Sequence, residues 1–185
     1  MAQPAISSRP APRASPFAFT LIELLAVVAV TGLLAVVAIP ALNSLGASRS
    51  AAAESMTRNL SFARELATNT ANTTWVLFDT GSNRYSILGE DTAAPGRSGA
   101  LTITNPATQR PFVEQLGAND AVGVSIAAVD LEGLSEVGFD RLGRPTRTNG
   151  TLWTTTGVVT LNGSWSVRIA PRTGFVWAVN SGGAP

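Results

Sequence analysis

The chain opens on a polar stretch broken by proline. Residues 1–18, MAQPAISSRPAPRASPFA, carry four prolines, Arg9 and Arg13, and no acid; such a stretch does not fold on its own. The pattern then turns continuously apolar. Phe19–Ile39 reads FTLIELLAVVAVTGLLAVVAI, 21 residues with one charge, Glu23. As a helix it would span roughly 32 Å, enough to cross a bilayer core of about 30 Å. The arginines lie before it, so residues 1–18 are expected in the cytoplasm and the rest outside it.

Beyond Pro40 the pattern becomes amphipathic. Pro40 has no N–H donor and is expected to kink or loosen the helix. Leu42, Leu45, Ala52, Met56, Leu60, Ala63 and Ala67 share one stripe at a 3.6-residue period, with Glu54, Arg58 and Glu65 opposite. Arg49 interrupts the stripe and Gly46 weakens it. Glu54 and Arg58 stand at the i,i+4 spacing of a helical ion pair. The stripe is expected to pack on the chain's own sheet, and the Thr/Asn-rich stretch Thr68–Asn72 to end the helix.

From Thr73 the period changes to two. Thr73–Phe78 and Arg84–Leu88 read as a hairpin around residues 79–83. Leu101–Thr104, Val122–Ala128 and Glu136–Phe139 are further strands. Gly157–Leu161 and Ser164–Ile169 flank Asn162-Gly163, a type I′ turn signal. Phe175–Val179 follows Arg172-Thr-Gly174. Seven or eight antiparallel strands are expected, with Trp75, Trp153, Trp165 and Trp177 in their core and a flexible tail over 181–185. The fold class is α+β: one long N-terminal helix packed on a C-terminal antiparallel β domain.

Composition narrows the chemistry. With no Cys and no His, disulfides, thiolate metal sites, Ser-His-Asp catalysis and a histidine switch are all excluded. No metal cluster, phosphate loop or cofactor is implied. Thirteen Arg, no Lys and 12 acids give +1, which offers no general affinity for nucleic acid. Asp79-Thr-Gly resembles half of an aspartic-protease site, but that chemistry needs two carboxylates sharing a proton and no second such triplet occurs. Asp, Gly and Asn between two strands read as a turn.

Glu23 is the residue that needs explaining. A carboxylate inside an apolar span costs a few kcal/mol and is a functional candidate by default. A cleaved signal peptide, cut near Val36-Val37-Ala38 or Leu45-Gly46-Ala47, leaves the acid unexplained, and so does a plain anchor. Phe-Thr-Leu-Ile-Glu-Leu-Leu (19–25) resembles the N-terminal motif of type IV pilins and type II secretion pseudopilins. The resemblance implies cleavage by a prepilin peptidase between Ala18 and Phe19 and N-methylation of Phe19. Ala18 stands where the family usually carries Gly. Glu23 and Pro40 then fall at the family's positions, and both are implied in subunit assembly. Glu23 would meet the N-terminal ammonium of a neighbouring subunit, where a cation offsets its desolvation.

The β region narrows the resemblance. Val-Gly-Phe-Asp-Arg-Leu-Gly-Arg-Pro (137–145), the Asn-Gly hairpin and Val-Arg-Ile…Thr-Gly-Phe-Val (167–176) resemble the GspH/FimT minor pilin domain. This implies a structural minor subunit, not an enzyme, that helps prime a type II secretion pseudopilus or type IV pilus near its tip. The implied partners are other pilin-like subunits, the prepilin peptidase, an inner-membrane assembly platform, and lipid along 19–40. The implied layout is a cleaved leader (1–18), a single transmembrane span (19–40), an amphipathic helix (41–72) and a periplasmic β domain (73–180). The rival reading is a DNA-binding minor pilin. Arg141, Arg144, Arg147, Arg168 and Arg172 could meet phosphates in a salt-dependent way, although nothing after Arg172 is basic. Loss of residues 1–18 would remove two of the 13 Arg and leave 167 residues with 11 Arg against 12 acids, or −1.

Overall fold

The computed structural model describes residues 20–118 and 121–182, the side chains of residues 35–45 excepted. It divides into two compact units, Met1–Pro40 and Ala41–Pro185. Helix α1 is Leu21–Thr70. It continues past Pro40, and the boundary between the units falls at the same residue. Among the described residues no helix is long and apolar enough to cross a membrane. Of the apolar run, only Thr20–Leu34 has described side chains. At 1.5 Å per residue these cover roughly 22 Å, short of a bilayer core.

Among its described residues the second unit holds ten strands in two antiparallel sheets. They are β1 (Thr74–Asp79), β2 (Arg84–Gly89), β3 (Leu101–Thr102), β4 (Val113–Gln115), β5 (Ile126–Asp130), β6 (Glu136–Phe139), β7 (Pro145–Thr146), β8 (Gly157–Leu161), β9 (Trp165–Ile169) and β10 (Val176–Asn180). The first sheet runs β3-β2-β1-β6-β7, with β4 also on β2; the second runs β10-β9-β8-β5. The hairpins β1–β2 and β8–β9 stand where periodicity put them, and β6 matches its expected range. β5 starts four residues later than expected, at Ile126. Its register shifts between Ile126 and Ala128, where a bulge interrupts the alternation.

One core serves the helix and both sheets. Ala52, Ala53, Met56, Leu60, Ala63 and Ala67 are buried in the same cluster as Val76, Ile87, Phe139, Val159 and Ile169. These positions confirm the stripe from Ala52 onward and add Ala53. Asn59 Nδ2 donates to the buried Tyr85 hydroxyl at 2.7 Å, and Phe62 stacks on Phe112 at 5.7 Å. Arg49 interrupts the stripe by packing beside Gly163, on the β8–β9 turn. Glu54 and Arg58 form no ion pair; the Ser50 hydroxyl donates to Glu54 at 3.4 Å instead. Helix α1 ends at Thr70, and Ala71 takes a left-handed φ of 57°.

Two expectations need correction. The Asn162-Gly163 turn is not type I′, because only Gly163 has positive φ. Asn162 is instead committed to the chain before β5: Ser125 N donates to its Oδ1 at 2.9 Å, and its Nδ2 donates to the Gly123 carbonyl at 2.7 Å. The four tryptophans also divide. Trp75 and Trp153 are buried and the half-buried Trp165 packs against the core, whereas Trp177 is half-buried outside it. Trp177 points away from the core and stacks on the exposed Phe175, 5.8 Å between ring centres.

Candidate functional site

Two regions hold the residues singled out by sequence. The first is the start of α1. Ala18 and Phe19 lie outside the described residues. Thr20 caps the helix: its Oγ1 accepts from Glu23 N–H at 3.3 Å. Thr20 and Glu23 thus stand at the spacing of a capping box, with the acid in the first turn where the helix dipole favours negative charge. Sequence reading found Glu23 but not this local role.

No described residue pairs with the Glu23 carboxylate by hydrogen bond or ion pair. Around it the helix is apolar on all sides, and its large side chains are exposed, from 55% at Val27 to 84% at Leu21. Thr31, the other polar side chain here, spends its hydroxyl on the Val27 carbonyl at 2.8 Å. A helix that is apolar all round is stable only in lipid or against other protein. Over Leu21–Leu34, Glu23 is therefore the one polar side chain without a hydrogen-bond or ion-pair partner among the described residues. Pro40 lies within α1, and nothing is described of its side chain.

The second region is built from two turns. Asp140 shapes the β6–β7 turn. Its Oδ1 accepts from Leu142 N and Arg144 N, both at 2.9 Å, and Arg144 Nη2 reaches its Oδ2 at 2.7 Å. Burial works against the Asp140 charge, but the Arg144 guanidinium and these N–H groups hold the carboxyl below its usual range. The β9–β10 turn, Pro171–Phe175, meets this turn at two left-handed glycines, Gly143 (φ 73°) and Gly174 (φ 65°). A side chain on Gly174 would collide with the Gly143 carbonyl oxygen, so the contact needs glycine. Arg64 of the helix donates from Nε to that carbonyl at 3.2 Å.

The structure splits the five arginines. Arg144 is tied to Asp140. Arg147 Nε is tied to Glu132 Oε2 at 2.8 Å, and Glu132 also receives Thr154 N at 2.6 Å and Thr155 N at 2.9 Å. Those backbone donors hold the Glu132 carboxyl at about 2. Both arginines therefore staple loops. Arg141 and Arg172 are exposed and have no ion pair among the described residues, and Arg168 is half-buried with its Nε unpartnered. Asp79, the protease-like residue, sits in the β1–β2 turn. It accepts from Ser82 N at 3.0 Å and pairs with Arg84 at 3.3 Å. The Ser82 hydrogen bonds and Arg84 keep its carboxyl low, and it shares no proton with a second carboxylate.

Sequence reading missed Asn83. Its left-handed φ of 52° suits Asn. Its Nδ2 donates to the Leu116 and Val124 carbonyls at 2.9 and 3.0 Å, while its Oδ1 accepts Ile126 N at 2.8 Å. One side chain thus links the start of β2 to the ends of β4 and β5.

No family model matches the sequence, and no curated protein matches it. Solved structures do match in fold, among them two of the minor pseudopilin EpsH from the type II secretion system of Vibrio cholerae. One is 15% identical with a TM-score of 0.53, covering 74% of this chain and 99% of that one. The other is 14% identical with a TM-score of 0.52, covering 75% and 97%. At that identity the likeness is one of fold: over about three quarters of its length this chain is folded like that minor pseudopilin.

Proposed function

We propose that this chain is a structural minor pseudopilin, a subunit rather than an enzyme. A prepilin peptidase cuts it between Ala18 and Phe19 and methylates Phe19. Residues 19–40 then hold it in the inner membrane as a single span, with its N-terminus cytoplasmic and its β domain periplasmic. From there the assembly platform adds it to a type II secretion pseudopilus or a type IV pilus, near the tip. The observation that carries this reading is the pairing of an uncovered apolar helix bearing one unpartnered acid with a GspH-like β domain in one chain.

Glu23 supplies the specificity of assembly. In an apolar setting its unpaired carboxylate is destabilising, and the N-terminal ammonium of a neighbouring subunit relieves that cost. Docking is thereby favoured in the register that joins the two charges. Glu23→Ala should insert into the membrane normally and enter filaments poorly, read by membrane fractionation beside filament shearing. Wild-type incorporation of Glu23→Ala would contradict this role.

The DNA-binding alternative would rest on Arg141, Arg168 and Arg172, since Arg144 and Arg147 are held by carboxylates. Three cations support a shallow salt dependence at most.

A further inference from the structure

The four-stranded sheet has a second face that the helix does not cover. Val167 and Ile169 of β9 point into the core, so Ser166 and Arg168 point out. Register places Trp177, Arg168, Val158 and Asp130 in one row across β10, β9, β8 and β5. Val179, Ser166 and Thr160 form the next row. Phe175, 60% exposed, stacks on Trp177 at one end. The adjoining β6–β7 turn adds Leu142, 61% exposed.

Two polar atoms on this face lack partners. Arg168 Nε and Ser166 Oγ are buried and make no hydrogen bond, a costly state for buried donors. Among the described residues Arg84, Arg97, Arg144 and Arg147 pair with carboxylates of the chain. Here Arg168 and Arg172 have no carboxylate partner among the described residues. Asp130 shares the row but is separated from Arg168 by β8, about two strand spacings of 4.8 Å. Half-buried Trp177 and Arg168 beside the exposed Phe175 have the composition of interface anchors.

We propose that this face, centred on Arg168 and Trp177, docks an apolar, carboxylate-bearing surface of another pseudopilin subunit. The inference rests on the subunit reading above and names the surface through which the β domain makes contact. The partner's carboxylate pairs with the half-buried Arg168 guanidinium, and its aliphatic side chains cover Trp177, Phe175 and Val158. Nucleic acid fits less well. Asp130, exposed in the same row, repels a phosphate backbone, and Arg168 is a single half-buried cation.

The test uses the full chain in its own host. A photo-cross-linking phenylalanine analogue replaces Thr160 on this face or, as control, Thr92, which is exposed elsewhere. The expected result is an adduct from position 160 only, with a subunit that itself carries a prepilin-type N-terminus. Arg168→Glu should weaken the adduct about tenfold or more, and changing the captured carboxylate to Arg should restore it. Phe175→Ser, at an exposed position, should weaken it without disturbing the fold. An adduct indifferent to both substitutions, one with a second copy of this chain, or one with nucleic acid would each overturn the proposal. A chain processed at Phe19 and incorporated, yet giving no Arg168-dependent adduct, overturns the docking face alone. A chain that is never processed overturns the subunit reading and this inference with it.

Discussion

At the scale of single residues, several carboxylates do mechanical work. The Glu132 side chain is 4% exposed and sits in the turn between β5 and β6 with a left-handed φ of 56°. It gathers the backbone of Thr154 and Thr155 and the Arg147 guanidinium. Its carboxyl lies at about 2 in the folded chain against an ordinary 4.5. The folded state therefore binds this proton less readily than the unfolded state. The stabilisation is complete above the ordinary value and is lost as pH falls from about 4.5 towards about 2. Thermal unfolding followed against pH should show that loss in the native chain. Glu132→Gln should be less stable at neutral pH and lose less on acidification. Asp140 and Asp79, both also held low, act in the same direction, so the difference between the two curves is the quantity to read. Equal acid sensitivity in both proteins would refute the assignment.

At the scale of elements, α1 reads as two different helices joined in sequence. From Ala52 to Ala67 it has a buried stripe on its own sheets. From Leu21 to Leu34 its large apolar side chains are exposed. Leu60 is fully buried in the stripe, so Leu60→Ala should cost about 2–5 kcal/mol in denaturant unfolding of the chain. Glu54→Ala, on the exposed side and without an ion pair, should change stability by less than about 0.5 kcal/mol. A comparable loss in both would mean that the stripe is not the packing surface.

Elements with a local period were legible in the sequence. The stripe, β6, β8 and the β1–β2 hairpin all declare themselves within a few residues. β7 has two residues and β4 three, too few for an alternation to show; pairing with β6 and β2 defines them. The Asn162-Gly163 signal was correct about a hairpin and wrong about its turn, because Asn162 has long-range partners that outweigh local preference. Among the site residues, the Asp140–Arg144 pair is close in sequence and could be found there. The Glu132–Arg147 staple and the meeting of Gly143 with Gly174 depend on tertiary structure, so five arginines that look alike in sequence separate into two structural and three unpaired ones. The outward turn of Trp177 was hidden for the same reason: only the strand register tells which face it joins.

At the scale of the whole molecule, the chain combines an apolar helical segment with large exposed side chains and a unit in which helix and sheets share one core. The apolar segment needs lipid or neighbouring helices, and its lone acid needs a cation. The second unit has one core, shared by helix and sheets, and one sheet face with unfilled hydrogen bonds at Arg168 and Ser166. Both incomplete surfaces fit a protein that works as part of an assembly. The central claim is that residues 1–18 are a leader and that Phe19 is the first residue of the working subunit. Mass spectrometry of the membrane-associated protein from its own host tests this most directly. The account predicts a chain of 167 residues starting at Phe19, with a methylated amino group. A mature chain starting near Ile39 or Ala47, or one that keeps residues 1–18, would contradict it.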